Sequence, residues 1–255
     1  MRTLIIVWAI LGFSVSGCMK TEQMTAEEMM KYPRPTTVPE QKLDPKDLRQ
    51  PRPETCLEAG KMYESLVQST EDTMQKRNFG WRAKQAYEQA LRLRPGWSQA
   101  QAGLARVDEL EGNIQQAASH FQLALQNISG KDDAGVCHQA GLFYARHQQY
   151  DNSIACMQRA IQLDPSNRTH MMNYGYTLAR AGRFDESYQH FSKIMNPSEA
   201  SFQLAQMARH MGDAERSKQY ASYALQQNPK HTQAQQLLTQ LQQPAIQQAE
   251  AVSQQ

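Results

Sequence analysis

The chain has 255 residues, and its 27 lysines and arginines against 25 aspartates and glutamates leave a formal net charge of +2. This balance lacks the basic excess of a nucleic-acid-binding protein, so it predicts no nucleic-acid partner and leaves recognition to local patches. The mean hydropathy of −0.70 indicates that most of the chain contacts water, and the length suffices for one or two domains with a buried core.

The first residues have the pattern of an export signal. Arg2 precedes an apolar run from Thr3 to Phe13, which is too short to span a bilayer because a spanning helix needs about 20 apolar residues. A short apolar run behind a basic residue is typical of a signal peptide. The alternative is an uncleaved anchor or a short buried helix.

The apolar run is followed by Val15-Ser16-Gly17-Cys18, an order that resembles the lipobox of bacterial lipoproteins. The resemblance implies a signal peptide over residues 1–17, a lipid on the Cys18 thiol, and attachment to the membrane through acyl chains. Met19 stands where enterobacterial lipoproteins of the inner membrane carry aspartate. We therefore expect the protein in the cell envelope, at the outer membrane and facing the periplasm.

Residues 18–54 are polar and rich in proline, which predicts a tether. Proline fixes φ and biases the preceding residue toward extended geometry, so such a segment behaves as a semi-rigid spacer. The prolines are Pro33, Pro35, Pro39, Pro45, Pro51 and Pro53.

The remaining sequence repeats itself. Pro95, Pro165 and Pro229 each end a segment with the small and apolar residues of an amphipathic helix, and they lie 70 and 64 residues apart. Each interval fits two units of the length expected for a two-helix repeat. The unit with the clearest pattern, residues 168–197, carries Tyr174, Gly175, Leu178, Gly182, Ser187, Phe191 and Ile194 at its key positions.

This pattern resembles the tetratricopeptide repeat, and it recurs over residues 98–133, 134–167 and 198–231. Residues 55–97 form a degenerate first unit, in which Thr70-Glu71 stands where the other units have a Leu-Gly-like pair. The resemblance implies an all-α fold, a right-handed superhelical solenoid of about five helix-turn-helix units. Residues 232–242 would cap the last unit, and the glutamine-rich residues 243–255 are expected to be disordered. An ordinary helical bundle is the alternative.

The resemblance also implies that the first helices of the units line an inner groove that binds a protein or peptide segment. The family's groove positions fall on Arg106, His138, Leu142, Arg146, Met172, Tyr176, Arg180, Phe202, Gln206 and Arg209. A row of arginines beside the apolar Met172, Tyr176 and Phe202 suits an extended or helical peptide that carries carboxylates. The alternative is that the arginines lie on solvated helix surfaces.

The sequence offers little for catalysis. Cys56, Cys137 and Cys156 remain after lipidation, and we favour small buried cysteines over a bridge between Cys137 and Cys156. No fourth ligand completes a zinc site around these residues, and the motifs of nucleophile elbows, phosphate loops and zinc proteases are absent from the sequence. We therefore expect no enzyme activity, no metal or cofactor and no small-molecule substrate.

The combined layout predicts a membrane-anchored scaffold for protein-protein interaction. Lipoproteins of type IV pili and of tight-adherence pili are similar in layout, which makes pilus or secretion-system assembly the expected setting. The alternatives are a self-associating structural lipoprotein and an accessory to a cell-wall enzyme.

Overall fold

The computed structural model describes the backbone of residues 51–253 and the side chains of residues 51–242. These residues belong to one compact unit, Gln50–Gln255. The expected signal peptide, Cys18 and almost all of the tether lie outside the described residues.

Residues 51–253 form eleven α-helices and one 3-10 turn, with no strand among them. Each pair of successive helices packs as a hairpin, and each hairpin packs against the next. The five hairpins and the final helix confirm the predicted repeat solenoid. The helices are α1 Pro53–Ser69, α2 Thr73–Leu93, α3 Ser98–Leu110, α4 Ile114–Gln126, α5 Ala134–Arg146, α6 Tyr150–Leu163, α7 Arg168–Arg180, α8 Phe184–Phe191, α9 Pro197–His210, α10 Ala214–Gln227 and α11 Thr232–Ser253.

The turn inside most hairpins depends on a residue in the left-handed conformation. Gly112, Gly182 and Gly212 have φ of 82°, 80° and 80°, which glycine adopts without steric cost. In the third hairpin the equivalent position is Gln148, whose φ is 59°. The same turn therefore forms there with a residue that is strained by it.

Within the hairpins, a glycine of the first helix leaves room for a large side chain of the second. A Cβ built on Gly175 lies 2.4 Å from Phe191 Cζ, and one built on Gly141 lies 2.9 Å from Met157 Cε. The third, fourth and fifth hairpins, which begin with α5, α7 and α9, each contain an equivalent buried hydrogen bond. A serine hydroxyl of the second helix donates to a first-helix carbonyl in the pairs Ser153 to Gly141, Ser187 to Gly175 and Ser217 to Ala205, at 2.7, 2.7 and 2.8 Å.

The first hairpin corrects one sequence-based alignment. Thr70 and Glu71 lie between α1 and α2 and do not belong to the first helix. Gly60 takes the packing role instead, since its Cβ would lie 2.5 Å from the Tyr87 ring. More residues separate Gly60 from Tyr87 than separate Gly175 from Phe191, because α1 and α2 have 17 and 21 residues. The second helix of the fourth hairpin has only 8.

The last helix covers the apolar face of the fifth hairpin, where Ala234 and Leu237 pack with Ala221 and Ala224. The helix continues to Ser253, past the predicted boundary at residue 242, and the alanines and glutamines in this stretch are good helix formers.

The three cysteines among the described residues are buried free thiols, Cys56, Cys137 and Cys156. Burial raises the pKa of Cys137 to about 11 and that of Cys156 to about 12, which keeps both protonated and unreactive. Among the described helices, none has the length and apolar character that a membrane crossing requires.

Candidate protein-binding surface

The first helices of successive hairpins contact one another, α1 with α3, α3 with α5, and α7 with α9. The surface that these helices share with one another is called here the inner face. The second helices pack behind it, so a partner on the inner face meets side chains from several units at once.

A cavity of about 450 Å³ opens on the inner face between α1, α3 and α5. We call it the inner cavity. Three of the residues predicted from sequence, Arg106, Leu142 and Arg146, meet in it. The other lining residues are Glu64, Gln68, Glu109, Leu110 and Gln139.

Arg106 is held by a partly buried ion pair. Its Nε and Nη2 donate to the Glu64 carboxylate at 2.7 and 2.8 Å, and its Nη1 donates to Gln139 Oε1 at 2.5 Å. Burial alone would lower the pKa of Arg106, but the hydrogen bond and charge of Glu64 outweigh it and the pKa is raised. Tyr87 completes the network by donating its hydroxyl to Glu64 at 2.7 Å.

Arg146 makes a similar fork one unit further along. Its Nε and Nη2 donate to Glu109 at 2.9 and 2.6 Å. In both bidentate ion pairs, an arginine on the first helix of one unit binds a glutamate on the first helix of the preceding unit. The charges of the inner cavity therefore neutralise one another, and the open part of its wall is amide and apolar, from Gln68, Leu110 and Leu142.

The predicted row of free guanidinium donors is not what the structure contains. Arg180 lies over the Tyr150 ring at 6.0 Å, and Arg209 donates to Gln240 at 3.1 Å. Arg106 and Arg146 are thus in bidentate pairs and Arg209 bonds an amide, whereas among the described residues the Arg180 guanidinium has only the ring contact. A peptide carboxylate would have to displace Glu64 or Glu109 to reach the first two.

The middle of the inner face is made by α5 and α7. His138 accepts a 2.7 Å hydrogen bond from the Asn173 amide, and its ring lies 4.6 Å from the His170 ring, centroid to centroid, at a tilt of 49°. Burial, and then the charge of His170, lower the pKa of His138 to about 4. Tyr176 donates its hydroxyl to Gln203 at 2.8 Å, and Met172 packs beside it. His138, Met172 and Tyr176 line neither the inner cavity nor the separate cavity formed against α11.

Phe202 does not lie open as part of an apolar strip. It is 4% exposed, because α11 covers it and the His231 ring lies 4.7 Å away, centroid to centroid, at a tilt of 49°. Its neighbours Gln206 and Arg209 line a separate cavity of about 240 Å³ against α11. The structure thus divides the ten predicted groove residues among three places and gathers three of them in the inner cavity.

A more open cavity of about 520 Å³ lies behind the inner face, between α2, α3 and α4. It is lined mainly by polar residues, and its central Asp108 already pairs with Lys84 at 2.7 Å. Within the described residues no group of histidines, cysteines and carboxylates is arranged to hold a metal ion.

Sequence reasoning missed Glu64, Gln68 and Gln139. Glu64 and Gln68 were missed because the degenerate first unit was aligned on Thr70-Glu71, which left α1 without assigned groove positions. Glu64 follows Gly60 by four residues, and Arg106 follows Gly103 by three. Alignment of the first unit on Gly60 would therefore have placed Glu64 near a groove position.

The comparisons with known proteins address the repeats. The tetratricopeptide repeat family model matches residues 81–132 and 139–200. No curated protein matches the chain significantly.

Several solved structures resemble the chain at low identity. YrrB, described as a TPR protein with an unusual peptide-binding site, is 20% identical with a TM-score of 0.44, over 70% of this chain and 98% of YrrB. PilF of Pseudomonas aeruginosa is 20% identical with a TM-score of 0.47, over 78% of this chain and 89% of PilF. PilW, described as a type IV pilus biogenesis factor, is 17% identical with a TM-score of 0.48, over 73% of this chain and 82% of PilW.

The family match covers most of α2 to α6 and continues into α9, and its periodicity agrees with the hairpins and their glycine turns. Residues 81–132 and 139–200 therefore match the tetratricopeptide repeat family, and residues 51–253 form an all-α repeat solenoid.

Proposed function

We propose that this protein is a membrane-anchored scaffold of the bacterial cell envelope that holds a segment of a partner protein on its inner face. The observation that carries the proposal is the inner cavity, where three successive first helices present one continuous recess of about 450 Å³. Stacked repeats are built to offer such extended binding surfaces.

The lining of the inner cavity favours a neutral, partly apolar partner segment. Glu64 with Arg106 and Glu109 with Arg146 leave no unbalanced charge. Leu110 is 46% exposed at the rim, and Gln68 lies beside it with an amide that can both donate and accept. An amphipathic helix fits this chemistry, with apolar anchors toward the leucines and polar residues at the edge.

In-cell photo-cross-linking tests this proposal. A photoreactive residue is placed at Leu110 on α3 and, as a matched control, at Leu123 on α4, whose exposure of 42% is close to the 46% of Leu110. We expect a discrete cross-linked protein from position 110 and none from position 123. The same products from both positions, or products only with further copies of this chain, would contradict the proposal, and the second result would favour self-association.

The proposed anchor is the acylated Cys18, supported by the lipobox-like sequence around it. Cell fractionation of wild type and Cys18→Ser tests it, with incorporation of labelled palmitate as the second readout. We expect the substitution to abolish labelling. An unlabelled wild-type protein would refute lipidation.

The setting that we propose for the scaffold is assembly of a pilus or secretion machine in the outer membrane. Its support is the layout of lipobox, proline-rich tether and repeats. Identification of the protein cross-linked at position 110 decides this point. A subunit of such a machine is the expected result, and a cell-wall enzyme would indicate the accessory role instead.

A further inference from the structure

One part of the first hairpin is unusually basic. Residues 73–87 of α2 contain four basic side chains, Lys76, Arg77, Arg82 and Lys84, and no acidic one. Lys84 is neutralised by Asp108 and Glu111 at 2.7 and 2.6 Å. Among the described residues, Lys76, Arg77 and Arg82 take part in no ion pair. Arg82 donates to the neutral Asn78 at 2.8 Å, and its guanidinium lies 5.8 Å from the centre of the Tyr63 ring.

The same stretch exposes two large apolar side chains. Met74 is 72% exposed and Trp81 is 61% exposed. Positions 74, 77 and 81 are three and four residues apart, so Met74, Arg77 and Trp81 form one stripe along α2. The opposite side of the helix, with Ala83, Tyr87 and Ala90, is fully buried in the core, so the stripe faces away from the repeat packing.

The stripe lies toward the projecting end of the hairpin. Gly80 faces Val107 and Glu111 at the end of α3, and the α2 residues before Gly80 extend beyond that contact. Tyr63 of α1 stacks on Phe79 at 6.5 Å, which places Met62, itself 53% exposed, level with this part of α2. The nearest acids in sequence are Glu71 and Asp72, and the Asp72 carboxylate is occupied by the amides of Met74 and Gln75.

We propose that Met74, Arg77 and Trp81 form a bilayer-binding stripe that docks the first hairpin on anionic phospholipid headgroups, while the exposed Lys76, about 100° further around the helix, adds positive charge at the same end of α2. Tryptophan is favoured at the membrane-water interface because its ring is apolar and its indole N–H remains a donor. Unpaired lysine and arginine are attracted to anionic lipid surfaces. A projecting helix surface with both features fits a flat bilayer.

The stripe rests on the proposed function in one respect, since an acylated Cys18 would keep the first hairpin within reach of the membrane. Acyl chains at the end of a tether attach a protein to the membrane but do not fix how its folded part is oriented. The stripe would orient the solenoid relative to the membrane.

Vesicle co-sedimentation tests the stripe without the lipid anchor. The protein used is residues 19–255, which contains the whole compact unit Gln50–Gln255. The vesicles are phosphatidylcholine alone or phosphatidylcholine mixed with phosphatidylglycerol, at low and high salt. We expect salt-sensitive binding to the anionic vesicles only.

The test variants are Trp81→Ala and the pair Lys76→Glu with Arg77→Glu. We expect the charge reversal to weaken binding by about tenfold or more and Trp81→Ala to weaken it several-fold. Matched controls are Leu123→Ala and Lys230→Glu, which change an exposed leucine and an exposed lysine elsewhere and should leave binding unchanged. Circular dichroism verifies that each variant is folded.

Absence of wild-type binding to anionic vesicles, equal binding to neutral vesicles, or equal loss in the control variants would overturn the proposal. So would variants that keep vesicle binding but lose a co-purifying protein, since the stripe would then serve a protein partner. Because the vesicle assay uses an unacylated chain, a negative result here is distinct from a failure of the Cys18 experiment.

Discussion

Glu64 and Arg106 form a bidentate ion pair, with Nε to Oε1 at 2.7 Å and Nη2 to Oε2 at 2.8 Å, that joins the first helices of two successive repeats. The pair is supported on either side by the Tyr87 hydroxyl and the Gln139 amide. It lies at the floor of the inner cavity and ties three units together, so it fixes the spacing of the helices that a partner would contact.

We expect Glu64→Gln to destabilise the fold, because Arg106 loses its counterion in a largely buried position. The loss should be about 1–3 kcal/mol, below the value for a fully buried pair since Arg106 is partly solvated. Urea unfolding measures it. Glu58→Gln is the control, because the Glu58 and Lys61 side chains are 67% and 46% exposed and such a pair contributes little. Equal effects of the two substitutions would mean that the buried network contributes no more than a surface pair.

Gly175→Ala tests the packing of glycine against the aromatic ring. The added Cβ would lie 2.4 Å from Phe191 Cζ, so the overpacking should cost about 1–3 kcal/mol. Gly135→Ala is the matched control, since nothing lies within 4 Å of its added Cβ and alanine is the better helix former by up to about 1 kcal/mol. The two substitutions should therefore shift the melting temperature in opposite directions. A stabilised Gly175→Ala would show that the ring moves aside freely.

Gln148→Gly should stabilise the protein. Gln148 holds a φ of 59° in a turn where the second, fourth and fifth hairpins use glycine, and relief of that strain contributes up to about 1 kcal/mol. Gln149→Gly, at a φ of −87°, removes no strain and should be neutral or destabilising. Thermal unfolding of the two variants decides between them, and a lower melting temperature for Gln148→Gly would refute the strain.

The stability should fall as the pH drops from about 6.5 to about 4. Burial, then the charge of His170, lower the pKa of His138 from 6.5 to about 4, and burial also lowers the pKa of His170. In this window the unfolded chain binds more protons than the folded chain, so the free energy of unfolding decreases as the pH falls. Protonation would also remove the Nε2 lone pair that accepts from Asn173.

His138→Gln measures the share of His138 in this pH dependence. Urea unfolding of wild type and variant is compared at pH values above and within the window. We expect the variant to lose less stability on acidification than wild type does. The same loss in both would assign the effect to other groups, of which His190, with its pKa also lowered by burial, is the first to test.

Much of the fold follows from residue spacing alone. Small residues recur where two helices touch, and Gly112, Gly182 and Gly212 mark the turns, so the periodicity predicts both the helices and their pairing. The first hairpin could not be aligned in this way, because its longer helices place Gly60 at a different distance from the aromatic residue of the second helix than in the other units. The continuation of α11 to Ser253 could not be predicted, because the composition of this segment suits both a helix and a solvated tail.

The binding surface was less predictable than the fold. Repeat positions assign residues to the inner face, and three of those residues, Arg106, Leu142 and Arg146, line the inner cavity. They do not reveal which charges are neutralised by neighbours on another helix, because Glu64 lies 42 residues from Arg106 in sequence. Nor do they show that a terminal helix covers Phe202. Both effects depend on contacts between units.

The most direct measurement is the affinity of the purified protein for the partner segment identified by cross-linking, compared among wild type, Leu110→Glu and Leu123→Glu. Both leucines are similarly exposed, so both variants should fold, and they differ only in whether the new charge faces the inner cavity. We expect Leu110→Glu to weaken binding by at least about tenfold, since a carboxylate beside Glu109 lacks a free cation to pair with, while Leu123→Glu binds like wild type. Undiminished binding by Leu110→Glu, or equal loss in both variants, would contradict a binding site on the inner face.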